Sequence, residues 1–275
     1  MKVGVIGLGF VGGAMKKSFE LKGCQVVGYD KYKDSDSFED CLNTDILFLC
    51  LPTQFDTNIN EYDKSIIVEV CRDLSLNHYG GIVVNKSTVE PLTNLKLCQI
   101  FKTLKLVHNP EFLTAVTAFE DFHNQKHIVL GKTDNATDKD IETLIGFYKP
   151  LYPDAEISVC NSTESESMKI FVNCFYSVKV QFFNELYLLC QKNNCDYNKV
   201  KDLMLKNGWI NPMHTQVPGP DGKLSYGGYC FPKDTNALLQ HMKNQKTPYK
   251  VLDACINERN EMRDDNTNVI IYKNK

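Results

Sequence analysis

An α/β fold is predicted for this chain of 275 residues: a doubly wound parallel sheet, followed by an all-α domain built on one long helix. Three observations carry that expectation. Short, β-branched, fully apolar runs alternate with helical spacing through the first half, the pattern of a parallel sheet buried on both faces. Strand signals then cease near Asn161. A helical stretch of about 31 residues follows, roughly 46 Å long at 1.5 Å per residue. The length admits two ordinary domains. They are expected at 1–160 and 161–265, with a polar, flexible tail at 266–275.

Strands are expected at 3–7, 25–30, 45–52, 82–86, 104–108 and 127–131, joined by right-handed crossovers. The long helix, 162–192, carries Ile170, Phe171, Val172, Phe175, Tyr176, Val178, Phe182, Phe183 and Leu186. It is apolar on nearly every face, which predicts burial on several sides. Shorter helices are expected at 197–206, 232–243 and 247–262. A turn-rich loop at 211–229 separates them, with Pro212, Pro218-Gly219-Pro220, Asp221-Gly222 and Gly227-Gly228.

Composition excludes several classes. With 43% hydrophobic and 24% charged residues, the chain reads as an ordinary globular protein. Its net charge of −3 argues against a nucleic-acid partner held by phosphate neutralisation. No charge-free apolar run is long enough to span a membrane. The eleven cysteines are odd in number, form no Cys-x-x-Cys, and mostly sit in apolar runs such as Leu49-Cys50-Leu51. They read as small core residues in a reducing, cytoplasmic compartment. No metal site is expected.

Gly7-Leu8-Gly9-Phe10-Val11-Gly12 follows a predicted strand and opens a helix. Gly7 permits the tight turn, Gly9 lets the backbone approach a pyrophosphate, and Gly12 lets helix and strand pack closely. The free N–H groups at the helix start attract phosphates. Asp30 ends the next strand, where it would accept from the adenosine ribose and repel a 2′-phosphate. NAD is therefore the expected cofactor rather than NADP, a preference that Lys31 weakens slightly. This is the Rossmann-type arrangement.

Three features downstream carry chemistry. Cys230 sits in Gly227-Gly228-Tyr229-Cys230-Phe231-Pro232-Lys233-Asp234, just before a predicted helix. A thiol there, beside Lys233, is expected to ionise readily and act as a nucleophile. Lys169 and Asn173 stand at i, i+4 and share a helix face. A lysine among Phe171, Phe175 and Tyr176 suggests a function if buried, whereas one that snorkels to the surface would be merely structural. Glu111, in Asn109-Pro110-Glu111-Phe112, is a candidate acid or base, though a loop glutamate can simply be solvated. Thr88, in Lys86-Ser87-Thr88, has similar standing, since a threonine at a strand end often caps a helix.

In this order the motifs resemble the nucleotide-sugar (UDP-glucose/GDP-mannose) dehydrogenase family. The matching stretches lie at 5–13, 51–53, 86–89, 109–113, 169–173, 183–185 and 227–234, the last being the most specific. The resemblance implies oxidation of a nucleotide-sugar C6 alcohol to a carboxylate, UDP-glucose to UDP-glucuronate first among the candidates, with two NAD reduced. It implies that Cys230 carries a thiohemiacetal and then a thioester. Lys169 would stabilise developing oxyanions, Asn173 would orient the substrate oxygen, and Glu111, Thr88 and Asp234 would handle the proton and position water. Gly7, Gly9, Phe10, Val11, Gly12, Asp30, Lys31, Pro52, Thr53, Thr88, Glu111 and Lys233 would line the cofactor. Phe112, Leu113, Lys169, Asn173, Tyr226, Gly227 and Gly228 would line the substrate.

The chain departs from the family in two places. Thr114-Ala115-Val116 stands where many members have x-Glu-Gly, in a loop that approaches the substrate. The family also carries a further C-terminal nucleotide-binding domain, which a second chain would have to supply here. A homodimer through the long helix is expected. The rival readings are a two-electron β-hydroxyacid-type dehydrogenase, which needs no Cys230, and a weakly active NAD-binding partner protein.

Overall fold

A computed structural model describes residues 1–266 and 269–270, which divide into two compact units. The first comprises Met1–Thr53 and Asp63–Lys169, the second Gln54–Tyr62 and Ile170–Lys275. The division therefore falls inside the long helix rather than at residue 160, and a short early segment belongs to the second unit.

The first unit is built on β1 (Lys2–Ile6), β2 (Gln25–Tyr29), β3 (Ile46–Leu49), β6 (Ile82–Asn85), β7 (Lys105–His108), β8 (His127–Lys132) and β9 (Glu156–Asn161). They form one sheet in the order β2-β1-β3-β6-β7-β8-β9. Helices α1 (Phe10–Leu21), α2 (Phe38–Cys41), α3 (Ser65–Leu76), α4 (Thr93–Ile100), α5 (Ala118–His123) and α6 (Asp138–Leu151) connect them. Alternate strand residues feed two cores. Val3, Val5, Phe48 and Val107 pack with Phe19, Phe122 and Tyr148, while Ile6, Leu47, Leu49 and Leu106 pack with Ile67 and Leu74. Because β1 pairs with β2 on one side and β3 on the other, the chain reverses direction across the sheet at β1. That switch point is where such sheets bind ligands.

Two strand expectations need correction. The sheet is not wholly parallel, since β8 runs antiparallel to β7. β9 was not anticipated; it lies at the sheet's edge with every residue exposed or half-buried, so it lacks the apolar run of an inner strand.

The long helix α7 spans Ser162–Lys192 as expected. The second unit adds α8 (Tyr197–Leu205), α9 (Phe231–Asn244) and α10 (Lys250–Met262). It is not purely helical. β4 (Phe55–Asp56) pairs with β5 (Glu61–Tyr62) and with β10 (Val269–Ile270). The expected tail thus contains a strand at β10, while residues 267–268 and 271–275 lie outside the described residues. The expected burial of α7 on several sides leaves one face open: Phe171, Phe175, Phe182 and Leu189 are each at least half exposed.

Candidate active site

In the first unit, Gly7 takes φ +90°, the turn that ends β1 and that other residues resist. A Cβ at Gly12 would fall 1.8 Å from the Gly7 carbonyl oxygen, so helix and strand touch there. A Cβ at Gly9 meets no atom within 4 Å. Nothing in the protein requires glycine at that position, so the open space in front of it suits an approaching ligand. Gly9 is also the N-cap of α1 and brings no side-chain cap, leaving the helix start open to phosphate. Asp30 accepts from the backbone N–H groups of Leu8 (2.8 Å) and Tyr32 (3.0 Å), which fixes its carboxylate at this loop. These residues fit a dinucleotide. Phe10 is exposed and Val11 half-buried beside them. Lys31 instead pairs with Glu69 at 3.4 Å, while Lys33, not anticipated, donates to the Leu8 carbonyl.

The ends of the inner strands are stitched together. The Thr53 hydroxyl donates to the Thr88 carbonyl at 2.7 Å, and the Ser87 hydroxyl donates to the Leu51 carbonyl at 2.8 Å. Thr53 and Thr88 are buried, whereas Pro52 is exposed. Lys169 is only 4% exposed, so it does not snorkel. Its Nζ lies 3.2 Å from Glu111 Oε1 and 5.5 Å from the Phe112 ring centre. Glu111 also accepts from the Leu113 N–H at 2.7 Å. Phe112 stacks on His127, and both line a cleft of about 520 Å³ with Glu111 and Leu113. Phe171 and Phe175, expected around Lys169, are exposed instead because they project from another face of α7.

Two residues here were missed. Lys86, 3% exposed, donates to the Asn109 carbonyl and to its Oδ1, both at 2.9 Å. Burial pushes its ammonium down to about 8. Glu166 accepts from the N–H groups of Leu92 (2.7 Å) and Asn94 (2.6 Å) and from the Asn94 amide (2.7 Å). Burial pushes its carboxyl up to about 7. Its position one turn before Lys169 was the available signal.

In the second unit, Cys230 is the N-cap of α9 and is half-buried. Pro232 occupies the first turn, which suits its missing N–H. Asp234, fully buried, accepts from Asn173 Nδ2 at 2.6 Å, from Lys233 Nζ at 2.6 Å and from the Tyr62 hydroxyl. Lys233, expected at the cofactor, thus pairs with Asp234 and lies 4.5 Å above the Tyr62 ring. Tyr62 was missed because its two-residue strand has no periodic signal.

The glycine-rich loop before Cys230 is held by Arg259 and Arg263, both nearly fully buried. Arg263 donates to the Leu224 and Ser225 carbonyls and pairs with Asp221 at 2.6 Å. Arg259 donates to the Tyr226 carbonyl at 3.1 Å. A Cβ at Gly227 would collide with the Arg263 guanidinium, and Gly228 takes φ +78°. Tyr226 is buried and bonds Thr235, so its ring supports the loop from within. Two arginines at i, i+4 near the last helix end were the unread signal.

Residues 32–152 match the NAD binding domain of the UDP-glucose/GDP-mannose dehydrogenase family, and residues 163–261 match that family's central domain. UDP-glucose 6-dehydrogenase TuaD of Bacillus subtilis is 30% identical over 230 residues, 80% of this chain and 47% of that protein. A UDP-glucose 6-dehydrogenase of Rhizobium meliloti is 30% identical over 233 residues, 80% of this chain and 52% of its own length. A solved UDP-glucose dehydrogenase from Pyrobaculum islandicum superposes with a TM-score of 0.83 at 25% identity, covering 94% of this chain and 68% of that one. The chain spans about half the length of these curated relatives.

Proposed function

Since the chain belongs to the UDP-glucose/GDP-mannose dehydrogenase family, we propose that it oxidises the C6 alcohol of a nucleotide sugar to the carboxylate, with UDP-glucose as substrate. One observation carries the reading: Cys230 caps α9 one turn before Asp234, whose buried carboxylate is bonded by Asn173. A β-hydroxyacid-type oxidation needs no thiol at that place.

The Gly7–Gly12 loop and Asp30 would hold NAD, which would supply the hydride acceptor for each two-electron step. The Cys230 thiol sits at a helix start whose partial positive charge favours the thiolate. It would add to the C6 aldehyde and carry the thiohemiacetal, then the thioester that water cleaves. The Lys169 ammonium would offset alkoxide charge, and Glu111 beside it would take up the proton. Asn173, fixed by Asp234, would hold the substrate oxygen.

Counting NADH formed per sugar nucleotide consumed tests this. Two supports the reading; one moves it to a two-electron dehydrogenase, and none to a binding protein. The exposed stripe of Phe171, Phe175, Phe182 and Leu189 along α7 supports a homodimer through that helix. Sedimentation as a monomer would remove that part of the proposal. Among the described residues no helix is long and apolar enough to cross a membrane. Most cysteines are buried or half-buried, which supports a reducing, cytoplasmic compartment.

A further inference from the structure

Buried lysines are rare, and the first unit holds two within reach of one glutamate. Lys86 and Lys169 are 3% and 4% exposed. Lys169 contacts the Glu111 carboxylate directly, whereas the Lys86 ammonium donates to the two neutral oxygens of Asn109 and lies over the face of Phe122, 5.7 Å from its ring centre. Neutral oxygens satisfy the ammonium's hydrogen bonds but not its charge. Its electrostatic neighbours are Cys50, Glu111 and Lys169.

Three titratable groups around Lys86 carry no charge near neutral pH. Burial pushes the Cys50 thiol up to about 12 and His108 down to about 3, and it raises the Tyr148 hydroxyl. The charged groups that act on Lys86 are the Glu111 carboxylate, which favours its proton, and the Lys169 ammonium, which opposes it. Lys86 therefore adds a positive charge beside the Lys169–Glu111 pair.

Lys86 also acts on geometry. Asn109 is held on every side: its N–H donates to the Asn85 carbonyl (2.8 Å), its amide to Val129 (2.7 Å), and its Oδ1 accepts from Tyr148 (2.6 Å). Pro110 follows, with φ fixed by its ring. An orientation set at Asn109 thus passes to Glu111 through a stiff link.

We propose that Lys86 is a positioning residue of the oxidation site, whose ammonium fixes the Asn109-Pro110-Glu111 turn and supplies the second buried positive charge beside Glu111 and Lys169. The proposal rests on the dehydrogenase reading above. It assigns Lys86 no contact with substrate.

The test compares the wild-type chain with Lys86→Met and Lys86→Arg, measuring kcat and KM for NAD and UDP-glucose between pH 6.5 and 9.5. Wild-type kcat should fall on the alkaline side as Lys86 loses its proton. Lys86→Met should lose about 100-fold in kcat, the scale of a 1 Å misplacement, with KM for NAD within about threefold and no alkaline fall of its own. Lys86→Arg, which stays charged, should recover at least tenfold of the loss. A Lys86→Met kcat within threefold of wild type, or an unchanged alkaline fall in that variant, would overturn the proposal.

Thermal midpoints over pH 8–10.5 separate this from the functional reading. In that window the unfolded chain keeps a proton that folded Lys86 has released, so wild-type stability rises with pH. Lys86→Met should lose that rise. If wild type oxidises no sugar nucleotide, the dehydrogenase reading falls, yet the midpoints still report on Lys86: equal slopes in both proteins would show that it carries no buried charge.

Discussion

Replacing Asp234 by alanine should destabilise the second unit more than almost any other single change. The carboxylate is fully buried and receives Asn173, Lys233 and Tyr62. Lys233 is itself only 8% exposed, so removing its partner strands an ammonium away from water. Breaking a buried pair in this way costs about 3–5 kcal/mol. At about 2–4 °C per kcal/mol for a chain of this size, the thermal midpoint should drop by about 10 °C. Adding Lys233→Met relieves the stranded charge. The double variant should therefore be more stable than the sum of the single changes by about 1–3 kcal/mol. Scanning calorimetry on the four proteins gives the cycle. An Asp234→Ala midpoint within 2 °C of wild type, or strict additivity in the double variant, would refute the reasoning.

The two inner glycines of the nucleotide loop should behave oppositely. Gly12→Ala drives a methyl into the Gly7 carbonyl and should unfold or strongly destabilise the first unit, whereas Gly9→Ala should keep the wild-type midpoint and lose NAD binding in a fluorescence titration. A Gly9→Ala protein that binds NAD normally would remove that residue from the cofactor site. Cys230→Ala should abolish acid formation and leave NAD affinity within about threefold of wild type; normal acid output would exclude the thiol from the chemistry. Folded Glu166 retains a proton between its ordinary 4.5 and about 7 that the unfolded chain has lost, so stability should fall as pH rises through that window. The change is about 3 kcal/mol at 1.36 kcal/mol per pKa unit. Glu166→Gln should flatten the curve in urea titrations, and an equal fall in both proteins would show that Glu166 is not its source.

The inner strands were legible because burial on both faces forces continuous apolar runs, as at Ile46–Leu49 and the first three residues of Ile82–Asn85. Direction is another matter. The stretch between β7 and β8 is long enough for a parallel crossover, and nothing in its composition says that β8 comes back antiparallel. Nor can two-residue strands such as Phe55–Asp56 show a period. Site residues followed the same division. Cys230, Lys169 and the Gly7–Gly12 loop announce themselves through local spacing. Tyr62, Arg259 and Arg263 act through partners far along the chain, such as Asp234 for Tyr62 and Asp221 for Arg263, and only the fold brings those together.

The excursion at 54–62 also bears on synthesis. Phe55 pairs with Val269 across almost the whole length of the chain, and Tyr62 reaches Asp234. A nascent chain could assemble the sheet of its first unit while still on the ribosome. Its β4 and β5 could pair with each other at once, but β4 would have to wait for β10 until the residues beyond α10 had emerged. A fragment starting at Ile170 would lack the strand pair that β10 docks on, so the second unit cannot be excised as one continuous piece. Expression trials should keep all three passages of the chain between the units intact.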